Sequence, residues 1–294
     1  LDGTMTVNNS VVLGEKLGGG NIAGTLTLSG GVTTVSGDIR DGGGTSTLIL
    51  DGGTLDMQNN AIGSLGNPID TLTMASGVLR NVGQINGGAG WSKTGAGTLT
   101  LEGTHAYGGT LSVAGGALLY NGTYTGGGLI SVQNSAVLGG TGSVAGICVA
   151  SGGTLSPGLS PGKLTASGDV TMEPGAVFEA EILGTLSSQY DQLLMSGSAQ
   201  LTLGGATLSV VAPNPLPYGT VFPIISGWGS MDSSTFDSLA DGQTFTAGAN
   251  TFQINYGTLS GYNNDVTLTV IPEPTTLGLF GLLAGAMLLR RRLC

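Results

Sequence analysis

Thr110-Leu111-Ser112-Val113-Ala114-Gly115-Gly116-Ala117-Leu118 decides the fold: a strand in which apolar and hydroxyl residues alternate, a turn of small residues, and a second strand. Alternation at period two buries one face of a strand and leaves the other wet. The same arrangement recurs on both sides of this stretch. Upstream, Thr25-Leu26-Thr27-Leu28 leads into Ser29-Gly30-Gly31-Val32, Thr47-Leu48-Ile49-Leu50 into Asp51-Gly52-Gly53-Thr54-Leu55, and Thr71-Leu72-Thr73-Met74 into Ala75-Ser76-Gly77-Val78-Leu79. Thr98-Leu99-Thr100-Leu101 is a further such strand. Downstream, the turns continue as Gln133-Asn134-Ser135-Ala136-Val137, Ala150-Ser151-Gly152-Gly153-Thr154-Leu155, Glu173-Pro174-Gly175-Ala176-Val177 and Ser196-Gly197-Ser198-Ala199. From turn to turn the spacing is 22 (Gly31 to Gly53), 24 to Gly77, 39 (two units) to Gly116, then 19, 18, 22 and 23.

A period near twenty residues, with strand, tight turn, strand and loop in each unit, is what one coil of a parallel β-helix requires. Each coil exposes an apolar inner face that its neighbours cover, so stability accumulates over stacked units. The pattern predicts an all-β parallel β-helix (β-solenoid) with Leu26, Leu28, Leu48, Leu50, Leu99, Leu101, Leu111 and Val113 inside and the Thr and Ser positions outside. The rival is a β-sandwich, which also has short, regularly spaced strands. The paired strand-turn-strand units recur here in one sense, without the long hairpin-forming segments a sandwich needs.

Composition agrees with strands joined by glycine turns. Of 294 residues 56 are glycine, 9% are charged and 40% are hydrophobic, whereas disorder combines low hydrophobicity with high net charge. The net charge is −10, and residues 1–271 hold 17 acids against the five bases Lys16, Arg40, Arg80, Lys93 and Lys163. Such a surface repels phosphate backbones, which excludes nucleic acid as a partner.

Aromatic residues divide the chain. Ten of the fifteen lie between Phe178 and Tyr262, a stretch that Pro213, Pro215 and Pro217 interrupt. The last coil of a solenoid needs an atypical cover. The expected division is solenoid repeats over 1–183, aromatic-rich coils and a C-terminal β cap over 184–271, and a separate terminal segment over 272–294.

The stretch Trp91-Ser92-Lys93-Thr94-Gly95-Ala96-Gly97-Thr98-Leu99-Thr100-Leu101-Glu102-Gly103, continued by Tyr107-Gly108-Gly109-Thr110, closely resembles the autotransporter-associated β-strand repeat. Ser156-Pro157-Gly158-Leu159-Ser160-Pro161-Gly162 and Asn264-Asp265-Val266-Thr267-Leu268 resemble segments near the C-terminal end of such passenger regions. The resemblance implies a right-handed β-helix displayed outside the cell. Where an autotransporter continues into the amphipathic strands of a barrel, this chain departs from the pattern.

It continues instead with Ile271-Pro272-Glu273-Pro274, an uncharged apolar stretch, and Arg290-Arg291-Arg292. These three parts resemble the PEP-CTERM sorting signal. The resemblance implies an exosortase-type transpeptidase that cuts near Pro272-Glu273-Pro274 and passes the protein to the exterior. Thr275, Leu277, Leu279, Phe280, Leu282, Leu283, Met287, Leu288 and Leu289 mark a membrane-inserting segment. Thr275 to Leu289 is 15 residues, a short apolar helix of about 22 Å against a hydrocarbon core of about 30 Å. Insertion in the inner membrane is therefore expected to be transient, with the arginines cytoplasmic. A simple retained anchor is the alternative. Export also implies a signal peptide upstream of Leu1, and whether further repeats stand there too is left open by the sequence.

Motifs for chemistry are sparse. His105 is the sole histidine and reads as a solvated residue of the turn Gly103-Thr104-His105-Ala106-Tyr107, so no histidine-based triad or multi-histidine metal site is expected. Glu179 and Glu181 share one face of a strand, with Phe178 on the other. Their spacing suits paired glycosidase carboxylates, and a solvated acidic face is the plainer reading. Asp38, Asp41 and Asp51 lie near glycine turns but lack the strict calcium-binding nonapeptide. Cys148, in Ile147-Cys148-Val149, reads as a small buried apolar residue, and with Cys294 it supplies no disulfide framework. The expectation is an exported structural protein of the bacterial envelope or extracellular matrix, without catalytic residues, metal or cofactor. Its partners would be the exosortase-like enzyme, the inner membrane and extracellular polysaccharide. A carbohydrate-active β-helix enzyme and a glycan-binding adhesin are the alternatives.

Overall fold

The computed structural model describes residues 3–16, 18, 20–257 and 264–272. Strands make up nearly all of its regular structure, and the one helical element among the described residues is the 3-10 turn Asn86–Gly88.

Strands one repeat apart pair in parallel. Ala23–Leu28 lies beside the first half of Thr45–Asp56, with Leu26 opposite Leu48 and Leu28 opposite Leu50. The first half of Thr71–Val82 follows. The ladder then runs through Trp91–Lys93, Leu111–Val113, Leu129–Val132, Gly146–Val149, Val170–Met172 and Gln200–Thr202 to Ser230–Met231. A second ladder starts at Thr4–Val7 and Val32–Val35 and passes through the second halves of the two long strands. It goes on through Thr98–His105, Gly116–Tyr120, Ala136–Gly140, Thr154–Pro157 and Val177–Glu181 to Thr207–Val211. Short strands complete the coils in two parallel runs. One is Val11–Leu13, Ile39–Asp41, Ala61–Ile62 and Gln84–Ile85. The other is Thr123–Tyr124, Ser143–Val144, Lys163–Ala166, Gln192–Met195 and Val221–Ser226. The described residues are thus all-β, with a long, mostly parallel sheet of the kind a β-helix or solenoid needs.

Register stacks like on like. Leu99, Leu118, Leu138, Leu155 and Phe178 form one interior column, and Leu50, Met74, Lys93, Val113, Val132, Val149 and Met172 another. All of them are buried. Each buried leucine contributes about 1.5–3 kcal/mol, and the coils share that contribution with their neighbours. Of the eight residues expected inside, seven are buried; Leu26, in the first strand of its ladder, is only partly so.

The corners are tight because successive coils touch backbone to backbone. Gly77 has φ +106°, and a Cβ there would sit 2.2 Å from the Gly53 carbonyl oxygen. Gly140, at φ +110°, would meet the Tyr120 carbonyl oxygen at 2.3 Å. Only glycine accommodates both the backbone angle and the approach.

After Ser230–Met231 the pairing changes sense. Asp265–Ile271 runs antiparallel to both Val221–Ser226 and Asn250–Tyr256, and Thr244–Ala247 pairs antiparallel with Asn250–Tyr256. Aromatic rings fill this end: Tyr190 against Phe222 at 5.2 Å, Phe178 against Phe236 at 5.9 Å, and Phe245 stacked on Phe252 at 5.8 Å.

The short apolar helix expected from Thr275 lies outside the described residues, and among those described no helix is long and apolar enough to cross a membrane. Cys148 departs from expectation. It is half-buried and faces outward in register with Ser131 and Thr171, while Ile147 and Val149 take the interior. Strand alternation prevails over the usual preference of cysteine for burial.

Candidate functional site

Glu179 and Glu181 alternate with buried Phe178 and Ala180 on Val177–Glu181, so both carboxylates leave the outer face of the coil. The Pro157–Gly162 loop folds beside them. Ser156 Oγ donates a hydrogen bond to Glu179 Oε1 at 3.1 Å, and Ser160 Oγ donates to Glu181 Oε2. Asp191 ties the loop to the strand: its Oδ1 accepts the Gly162 N–H at 2.8 Å and its Oδ2 accepts the Glu181 N–H at 2.9 Å. The three acids line a groove of about 340 Å³ with Leu119, Val137 and Leu159 among its apolar lining.

Asp191 is only 1% exposed. Burial pushes its carboxyl up to about 6, against the two backbone N–H groups that favour the charge, and the nearby Glu181 and Glu179 charges push the same way as burial. A carboxyl held near 6 beside other carboxylates suits acid–base chemistry on sugars. Here, however, both of its oxygens are engaged by backbone, and no aromatic ring is among the groove's lining residues. The arrangement clamps a loop at least as directly as it offers chemistry. The sequence offered Asp191 as a possible companion of the two glutamates, but the two serines were not legible with them, because their contacts join residues 21 and 23 positions apart.

Among the described residues two basic side chains, Lys93 and His105, are buried inside the coils. Lys93 occupies the aliphatic column between Met74 and Val113, and its Nζ donates to the carbonyls of Thr94 at 3.0 Å, Gly95 at 2.8 Å and Gly115 at 2.8 Å. Burial lowers its pKa. His105 corrects the solvated-turn reading. Thr98–His105 continues as a strand to the histidine, whose ring is fully buried beside Tyr107 and Tyr120. Burial brings its pKa down to about 4.

The aspartates near the early turns make local bonds. Asp38 accepts the Ala61 N–H and pairs with Arg40 at 2.9 Å, and both hold its carboxyl below the usual range. Asp41 accepts the Gly43 N–H, and Asp51 accepts the Ser76 hydroxyl. Among the described residues no group of three or more His, Cys, Asp and Glu side chains is placed to hold a metal ion.

The terminal signal begins where the last strand ends. Pro272 directly follows Asp265–Ile271, while Glu273, Pro274, the apolar stretch from Thr275 to Leu289, and Arg290, Arg291 and Arg292 lie outside the described residues. Residues 270–292 match the PEP-CTERM protein-sorting motif. In an alignment 196 residues long that covers 61% of the chain, it is 30% identical to the adhesin BmaC autotransporter of Brucella suis biovar 1 (strain 1330), and it spans 5% of that protein. A parallel, glycine-cornered β body similar to part of an autotransporter adhesin thus ends in a PEP-CTERM sorting motif, which indicates export and sorting to the cell surface.

Proposed function

We propose that the chain is an exported structural protein of the bacterial envelope or extracellular matrix, delivered by its C-terminal tail, and not an enzyme. The match of residues 270–292 to the sorting motif carries this reading, since an exosortase processes signals of that kind. In it, Thr275 to Leu289 inserts briefly in the inner membrane as a short helix. Moving three arginines across would cost about 2.5–3.5 kcal/mol each, so they stay cytoplasmic and stop transfer. The transpeptidase cuts near Pro272-Glu273-Pro274 and releases the body outward. That body is a right-handed β-helix that offers long, weakly acidic walls, with extracellular polysaccharide as its partner. The similarity to a protein named an adhesin supports an adhesive variant of the same role, for which glycans are the partner we propose.

Mass spectrometry of the protein from its native host tests the reading. The expected C-terminus lies near residues 272–275; an intact Cys294 in washed membranes would establish a retained anchor instead. Neutral replacements of Arg290, Arg291 and Arg292 should cause missorting, and normal release of that variant would remove the cluster from the signal.

The acidic groove favours a second reading, a carbohydrate-active β-helix enzyme. It requires polysaccharide cleavage that Glu181→Gln abolishes while the fold stays intact. On the structural reading the protein cleaves nothing and the substitution changes nothing in such an assay.

A further inference from the structure

Both ring nitrogens of His105, the hydroxyls of Tyr107 and Tyr120, and Nε1 of Trp91 are buried, and none makes a hydrogen bond of ordinary geometry: the two hydroxyls have only each other, and the imidazole only the backbone at Glu102. A buried polar atom without a partner costs stability unless water reaches it. The void beside Tyr107, Tyr120 and Tyr124 has no room for a water molecule. His105 is the group in this cluster that changes charge at ordinary pH. Its ring centroid lies 5.8 Å from those of Tyr107 and Tyr120, and Tyr124 packs on Tyr107 at 5.1 Å.

The titratable groups that face the imidazole are these tyrosines, which burial keeps neutral. Charged side chains on the adjoining strands are engaged elsewhere. Glu102 pairs with Arg80 at 2.6 Å on the outer face, and the Lys93 ammonium is taken up by three carbonyls. Only the backbone at Glu102 favours a proton on the ring, and burial outweighs it. An imidazolium formed in place would have neither a counter-charge nor solvent.

We propose that His105 makes the coils from Trp91 to Tyr124 an acid-sensitive weak point of the solenoid, where acid favours an opened state in which the imidazole meets water and takes up a proton. The sign follows from linkage. The closed coils hold the ring neutral down to about pH 4, whereas the opened chain protonates it below its ordinary 6.5. Stability from the neutral ring is complete above 6.5 and is lost as pH falls towards 4. Near pH 4 the opening equilibrium stands roughly 100-fold above its value at neutral pH.

The sole histidine gives one set of imidazole resonances, so the full chain can be titrated without assignment ambiguity. Amide hydrogen exchange, corrected for intrinsic rates, is followed in parallel from pH 7 to pH 4.5 in the full chain and in a His105→Phe variant. The expected result is a ring that titrates below pH 5, with protection in Thr98–Tyr124 falling several tens of times more than in Ala23–Asp56. His105→Phe should lose that regional difference. An imidazole titrating near 6.5, or the same regional loss in His105→Phe, would overturn the proposal. If His105→Phe does not fold, the wild type decides: a low-titrating ring with acid-independent protection in these coils also overturns it.

Discussion

Lys93 stands in a column that is otherwise aliphatic, and its ammonium is hydrogen-bonded to carbonyls at the corners of two successive coils. Charge-assisted bonds of this kind are worth about 1.5–3 kcal/mol each, and removing the donor leaves inward-facing carbonyls without a partner. Lys93→Met keeps the volume and removes the donor. It should lower stability by about 2–4 kcal/mol, read as a lower denaturant midpoint with an unchanged slope. A variant as stable as the parent would mean that water replaces the ammonium. Lys93 was legible as part of the repeat but not as an interior residue, because hydrophobic patterning treats every lysine as exposed. Assignment by residue type alone also misplaced His105, read as exposed, and Cys148, read as buried. For Cys148 the information was present: with Ile147 and Val149 inside, alternation assigns the outer face to the residue between them. For His105 it was not, since Gly103-Thr104-His105-Ala106-Tyr107 has the composition of a loop. The strand nevertheless runs on to the histidine, past Gly103 at φ +78°.

A strand, a corner and a second strand make the repeating element, and the corner limits how closely coils can stack. Gly77→Ala places a methyl group 2.2 Å from the Gly53 carbonyl oxygen on a backbone at φ +106°. The coils must separate or the corner must refold, at a cost of about 2–4 kcal/mol. Gly66, whose added Cβ would meet nothing within 4 Å, provides the control. Gly66→Ala should stay within about 0.5 kcal/mol of the parent. Equal effects in thermal or denaturant melts would show that the corner adjusts without strain. At this scale the sequence was most informative, because its turn spacing is the spacing of the parallel registers: Gly30-Gly31 and Gly52-Gly53 stand one coil apart, and Leu28 lies opposite Leu50. The groove of Glu179, Glu181 and Asp191 was less legible. Alternation put both glutamates on one face, but it is the Pro157–Gly162 loop, from another coil, that turns this face into a concavity.

Across the whole molecule the interior changes from aliphatic to aromatic. Columns of mainly leucine, valine and isoleucine line the coils that lie between two others, apart from the buried cluster of Trp91, His105, Tyr107 and Tyr120. Towards the C-terminal end Phe178, Phe222, Phe236 and Phe252 take over, where the parallel coils meet the antiparallel strands. Composition alone marked this change, and the antiparallel pairing behind it came from contacts distant in sequence. Asp265–Ile271, whose end leads through Pro272 into the sorting tail, is hydrogen-bonded along both edges, to Val221–Ser226 on one side and Asn250–Tyr256 on the other. A pull on the tail along the line of that strand therefore loads two ladders in shear, so many bonds must break together instead of peeling one at a time. Mechanically, the strand that leads into the tail is gripped from both sides, and tension entering there is distributed into neighbouring strands before it reaches the stacked coils.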